Sequence, residues 1–183
     1  LGSAPASNAY LSAEQLRAPE AWFPLRLVVC EDCWLVQTED YVGREALFSD
    51  EYAYFSSYST SWLQHARSYV ETMIARFGLN ATSCVAEVAA NDGYLLQYVQ
   101  AAGIPCYGIE PTASTARAAR QKGLDIIEEF FGQALAHTLA SANRSADLIV
   151  ANNVLAHVPN INDFVGKVSP SLRRGEEGGA KCI

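Results

Sequence analysis

Positive charge is scarce in this sequence: 13 Lys and Arg stand against 20 Asp and Glu, a net charge of −7. That balance leaves no basic footprint for DNA or RNA, and nucleic acid is not expected as a partner. An anionic substrate stays compatible with it, because a local site can be positive on an acidic protein. Charge of either sign is sparse as well, at 18% of residues against about 25% in average soluble domains. Half of the chain is hydrophobic, so a core can be buried and whole-chain disorder is excluded. No apolar run reaches the roughly 18 residues that suggest a membrane span. The longest are broken at Arg26, at Asn91-Asp92 or at Asn152-Asn153. The start, Leu1 to Pro5, lacks the basic and apolar regions of a secretory signal. Five cysteines, an odd count, do not make a disulfide scaffold. A soluble, cytoplasmic protein without membrane contact is expected.

What is present divides by texture. Residues 1–50 carry Pro5, Pro19 and Pro24, the pair Cys30 and Cys33, and two short apolar runs, Leu25–Val29 and Trp34–Gln37. They read as a small loop-rich module. Residues 51–79 form a bridge in which Trp62, Ala66, Tyr69, Val70, Met73 and Phe77 recur at helical spacing. Ser57 or Ser59 fits its start and Gly78 its end. Residues 80–168 alternate. Strands are predicted at Cys84–Ala90, Ile104–Ile109, Leu124–Ile127 and Asp147–Ala151, and helices at Gly93–Ala102, Thr112–Lys122, Phe131–Leu139 and Ile161–Val168. Such alternation with short connections predicts an α/β fold, a parallel doubly wound sheet with helices on both faces. Residues 169–183, rich in glycine and charge, read as an irregular tail where such a sheet would normally continue.

Three segments carry chemistry. The first is Glu87-Val88-Ala89-Ala90-Asn91-Asp92-Gly93: an acid on a strand, a tight turn, then a helix. Small residues there let a ligand approach the backbone. The dinucleotide pattern G-x-G-x-x-G is absent, and Asp92 is unsuited to a pyrophosphate, which weighs against a nicotinamide-dependent oxidoreductase. The composition alone also suits any strand-to-helix turn. The second segment ends a strand in Glu110-Pro111; a carboxylate so placed can accept hydrogen bonds from two ribose hydroxyls, or can simply be solvated. The third, Asp147 to Pro159, is a buried strand followed by Asn152, Asn153 and His157. The C-terminal ends of strands in open α/β sheets line the ligand crevice. A histidine there can serve as acid, base or donor near neutral pH, or can pack on a helix face.

In this order the segments resemble the S-adenosylmethionine-binding core of class I methyltransferases. The wording is closer still to the sugar C-methyltransferases of deoxysugar biosynthesis. Four stretches carry that resemblance: Phe23-Pro24-Leu25 with Cys30-x-x-Cys33 and Leu35-Val36-Gln37; Tyr52-Ala53-Tyr54-Phe55-Ser56-Ser57-Tyr58-Ser59; Glu87 to Gly93; and Asn152-Asn153-Val154-Leu155-Ala156-His157-Val158-Pro159. The resemblance implies an incomplete Rossmann-like methyltransferase sheet behind a partial zinc-ribbon module. It implies S-adenosylmethionine as cofactor and a nucleoside-diphosphate 4-keto deoxysugar as substrate. Glu87, Asn91, Asp92 and Gly93 would surround the methionine end of the cofactor, and Ala89 and Asn152 would be further cofactor-binding positions. Glu110 would bind the ribose, and Glu129, Phe130 and Phe131 would border the adenine. Tyr54 and His157 would face the sugar. The family usually has glycine where this chain has Ala89.

Cys30 and Cys33 have the spacing of half a zinc ribbon, and a structural zinc site takes four ligands. In the resembling family another such pair lies upstream of the point where this sequence begins, and the proposed base, in a Tyr-Glu-His stretch, lies beyond its end. Cofactor binding with little or no turnover is therefore expected of this chain. The other reading is a non-catalytic nucleoside-binding module that self-associates through the unfinished sheet edge.

Overall fold

The structure, a computed structural model, describes residues 2–43, 47–48, 52–158, 160–168 and 171. It divides into two compact units, one running to Tyr54 and the other beginning at Phe55.

The first unit contains two small antiparallel pairs. β1 (Ser3–Ala4) pairs with β2 (Phe23–Pro24), and β3 (Leu27–Val29) with β4 (Val36–Thr38). The β3–β4 register sets Val29 opposite Val36, so the connection between them carries both Cys30 and Cys33. The predicted runs at Leu25–Val29 and Trp34–Gln37 thus become a hairpin displaced by a residue or two.

The second unit opens with α1 (Thr60–Phe77). Ser59 caps it: the Ser59 hydroxyl accepts from the Trp62 N–H at 3.2 Å. Gly78 ends it in the left-handed conformation, φ 63°, which glycine adopts without a Cβ penalty. Ala66, Val70 and Met73, spaced by four and three, are its buried stripe.

Behind α1 stands a four-stranded parallel sheet. Its strands are β5 (Val85–Val88), β6 (Cys106–Ile109), β7 (Ile126–Ile127) and β8 (Leu148–Val150), in the order β7-β6-β5-β8. Every residue of β5 is buried, as a central parallel strand covered on both faces requires. Strand alternation divides the core in two. Val85, Leu148 and Val150 face α1, α2 (Leu96–Ala101) and α3 (Ala113–Gln121). Ala86, Val88, Tyr107, Ile109 and Ile149 face α4 (Gln133–Ser141) and α5 (Ile161–Val168). The sheet is doubly wound, as the alternation in the sequence predicted. The expected tail lies outside the described residues except Ser171, whose carbonyl accepts from the Ala146 N–H at 2.9 Å beside β8. Among the described residues no helix is long and apolar enough to cross a membrane.

Gly108, in β6, is where packing leaves no room. A Cβ there would lie 2.7 Å from Ala90 Cβ, 2.6 Å from Ile126 Cδ1 and 3.1 Å from Leu96 Cδ1. Ile126 can turn its methyl aside, but Ala90 Cβ moves only with its backbone. Gly108→Ala is expected to destabilise the chain by about 1–3 kcal/mol, the range for overpacking a core. Urea unfolding checks this, and an unchanged midpoint would contradict the close approach of Ala90.

Candidate functional site at the ends of the central strands

β5 runs out into a turn with an unusual backbone. Ala89, Asn91 and Gly93 have φ of 56°, 50° and 76°. Alternating left-handed residues fold the chain back on itself, and the Gly93 N–H closes on the Ala90 carbonyl at 2.9 Å. The next regular helix starts at Leu96 and not at Gly93, because residues 91–95 are held in turns. At Gly93 a side chain would be strained by the positive φ, and its Cβ would meet Leu124 Cδ1 at 2.2 Å and Ala119 Cβ at 3.3 Å.

Glu110 ends β6 beside this turn. Its carboxylate accepts from the Asn91 N–H at 2.8 Å and from the Thr112 N–H at 3.0 Å. It is buried, yet each oxygen retains acceptor capacity for a further donor. The Thr112 hydroxyl, also buried, meets no hydrogen-bond partner among the described residues.

Glu87 is fully buried on β5. Its carboxyl is held well above the ordinary 4.5, chiefly by burial and further by the charges of Glu110 and Asp92. The Tyr94 hydroxyl offsets part of this rise. No described residue makes a hydrogen bond of normal geometry to either carboxylate oxygen. Asn152, just past β8, reaches toward the same place: its amide nitrogen lies 3.4 Å from the Tyr94 hydroxyl. Tyr94 in turn stacks on Trp62 at 5.9 Å.

The turn's side chains face the segment before α1. Asn91 Oδ1 accepts from the Ser56 N–H at 2.8 Å, and Asp92 accepts from the Ser57 N–H at 3.3 Å through each oxygen. Lys122 donates to the Asp92 carbonyl at 2.6 Å and to the Ser57 hydroxyl at 2.8 Å. Glu87, Ala89, Asn91, Asp92, Gly93, Glu110 and Asn152 are therefore grouped at one end of the sheet. The other expected residues are more dispersed. Glu129 is exposed and Phe130 half-buried beyond β7. Phe131 is buried against Phe164, edge to face, with centroids 5.5 Å apart. His157 closes a short 3-10 turn, Leu155–His157, after β8. Tyr54 ends the first unit, with half of its surface exposed.

Residues 1–48 match a family model described as "Putative zinc binding domain", and residues 86–175 one described as "Methyltransferase domain". The C-methyltransferase NovU of Streptomyces niveus is 30% identical over 171 residues, which are 93% of this chain and 40% of that protein. Residues 86–175 thus belong to the methyltransferase domain family. The chain spans less than half the length of the Streptomyces relative. Among solved structures, one from Methanococcus maripaludis, described as "a putative s-adenosyl-l-methionine-dependent methyltransferase", superimposes with a TM-score of 0.50. It is 15% identical and covers 60% of this chain and 52% of its own, a likeness of fold.

In the first unit the paired cysteines sit on the β3–β4 turn. The thiol of Cys30 is lowered by the N–H groups of Cys33 and Asp32 and by the Cys33 side chain. Donors aimed at sulfur stabilise a thiolate, the form that binds metal. Trp34, at φ 61°, donates its N–H to the Cys30 carbonyl at 2.9 Å and closes the turn. Cys30 and Cys33 thus lie on one turn, with the spacing found in half of a tetrahedral zinc site. Among the described residues no group of three or more His, Cys, Asp or Glu is gathered to complete one.

Sequence reading missed Ser56, Ser57, Tyr94, Thr112 and Lys122. Ser56 and Ser57 lie in the Tyr52–Ser59 stretch, where Tyr54 carries the more distinctive chemistry. Nothing in the sequence marks Lys122, one cation after a helix.

Two outcomes are expected from the methyltransferase turn. Ala89→Gly removes a left-handed alanine, a conformation costing roughly 1–2 kcal/mol, against a backbone entropy loss of about 0.5–1 kcal/mol. A rise in Tm is expected, and a fall would deny the strain. For Glu87 the folded pKa lies above the unfolded one. Stability is full below about pH 4.5 and declines as pH rises through the folded value. Gln stays neutral, so Glu87→Gln is expected to match the native Tm at pH 4 and exceed it increasingly above; parallel Tm-versus-pH curves would contradict this.

Proposed function

We propose that the chain binds S-adenosylmethionine at the C-terminal ends of β5 and β6 and serves C-methylation of a nucleoside-diphosphate 4-keto deoxysugar. The observation that carries this reading is Glu110, a buried carboxylate fixed by two backbone N–H groups beside a left-handed turn. That arrangement suits a nucleoside with vicinal hydroxyls, which can donate to the remaining lone pairs. The unsatisfied Glu87 carboxyl and Thr112 hydroxyl nearby are polar groups suited to a ligand. The activity for which the Streptomyces relative is named, C-methylation, supports the reaction type.

On this reading Glu110 holds the ribose, and Glu129, Phe130 and Phe131 border the adenine. Glu87, Ala89, Asn91, Asp92, Gly93 and Asn152 enclose the methionine end. The bound cofactor supplies an electrophilic methyl group. Tyr54 and His157 orient the sugar and polarise its ketone, so that negative charge developing at the oxygen is met by hydrogen-bond donors. A base takes the proton from the carbon next to the ketone; the Tyr-Glu-His stretch of resembling proteins suits that task. The carbon must then lie in line with the methyl, and the site's contribution is to hold that geometry. Cys30 and Cys33 supply two ligands of a zinc ion in the first unit. The reaction is placed in the cytoplasm, where such thiols stay reduced.

Isothermal titration with S-adenosylhomocysteine, with NAD as the comparison, tests the cofactor assignment. Saturable binding of the former alone is expected, and Glu110→Gln is expected to raise its Kd about tenfold or more by weakening a charged hydrogen bond. Binding of NAD instead, or of neither, would remove the cofactor assignment. In the second case a concentration-dependent oligomer in light scattering would favour a self-associating module.

A further inference from the structure

Three carboxylates lie in one region of the second unit: Glu87, Asp92 and Glu110. The charges of the last two both act on Glu87. Among the described residues Lys122 is the cation within ion-pair distance of any of them, with Nζ 3.4 Å from Asp92 Oδ2. The Asp92 side chain is 5% exposed, so that pair is shielded from water on its acidic side. Lys122 also does more than neutralise. An ammonium has three donors, and here they go to the Asp92 carbonyl at 2.6 Å, the Ser57 hydroxyl at 2.8 Å and the Asp92 carboxylate. Ser57 N–H returns a bond to that same carboxylate at 3.3 Å. One residue earlier the Ser56 N–H meets Asn91 Oδ1. The result is a closed ring of contacts that ties residues 56–57, which precede α1, to the turn after β5, with Lys122 from the end of α3 as the third corner.

We propose that Lys122 is a positioning residue for the amino-acid end of the cofactor: it locks the Ser56–Ser57 segment to the Asn91-Asp92 turn and neutralises Asp92. This deepens the cofactor reading above and rests on it. Without Lys122 the Asp92 charge stands uncompensated and loses the contacts that fix its carbonyl. The turn and the serine segment then keep only the bonds from the Ser56 and Ser57 N–H groups, and their mutual position loosens. The nucleoside end, held by Glu110 on the neighbouring strand, is not touched by that change. The ring therefore acts on one half of the ligand, which distinguishes positioning from general stability.

The test uses the full chain with two ligands: S-adenosylhomocysteine, and 5′-methylthioadenosine, which keeps the nucleoside but lacks the amino-acid group. Lys122→Met is expected to weaken the first about tenfold, the loss of one charged hydrogen bond, and to leave the second unchanged. Lys122→Arg, keeping the charge, is expected to recover part of the loss. Amide hydrogen exchange, which needs no ligand, is expected to speed up at Ser56 and Ser57 in Lys122→Met while Val85–Val88 stay as protected as before. Equal weakening of both ligands, or faster exchange throughout, would reduce Lys122 to a structural role and overturn the proposal, as would unchanged binding and exchange. If the native chain binds neither ligand, the cofactor reading fails and takes the ligand half of this proposal with it. Exchange at Ser56 and Ser57 still decides whether Lys122 holds the ring.

Discussion

The hydrogen bond from the Asn91 N–H to Glu110 joins the segments that leave two neighbouring parallel strands, and the site is organised around it. It requires that the β5 exit double back toward the β6 exit. The left-handed residues at Ala89, Asn91 and Gly93 achieve this. It also requires that nothing stand between the two strands, and Gly108 leaves the space that Ala90 occupies. A carboxylate fixed by backbone donors is oriented before any ligand arrives, so little reorganisation is left for binding.

The same end of the sheet concentrates negative charge in a low-dielectric setting. Three carboxyl groups meet this differently. Glu110 takes two backbone N–H groups. Asp92 takes Lys122 and the Ser57 N–H. For Glu87 burial outweighs what Tyr94 and the Leu96 backbone supply, so its pKa is driven upward and its neutral form is favoured. Like groups at one end of the sheet are thereby met by different partners.

Much of this was legible in the sequence, and the reasons can be traced to particular residues. The strand positions followed from apolar runs bounded by Gly103, Gly123 and the Asn-Asp-Gly turn. The helix over 60–77 followed from its stripe and from Ser59 and Gly78. Glu87 and Glu110 announced themselves as acids in otherwise apolar strands. The helix expected from Gly93 begins later, because periodicity does not register a left-handed backbone at Asn91. Lys122 could not be found, since its partners are 30 and 65 residues away in sequence and only the fold brings them together. The cysteine pair was legible by spacing, whereas the N–H groups aimed at Cys30 depend on the turn that Trp34 closes.

The strand order carries a consequence for how the chain reaches this state. β5 pairs on one side with β6, its immediate successor, and on the other with β8, which lies far along the chain. The Cys84 N–H bond to Asp147 spans 63 residues. Loop closure costs more entropy as the loop lengthens, so the β5–α2–β6 unit has the smaller loop to close and β8 the larger. Both partners in the Asn91–Glu110 bond belong to the nearer pairing. The Asn91–Glu110 corner thus closes through the shorter loop, and the edge that carries Asn152 through the longer one.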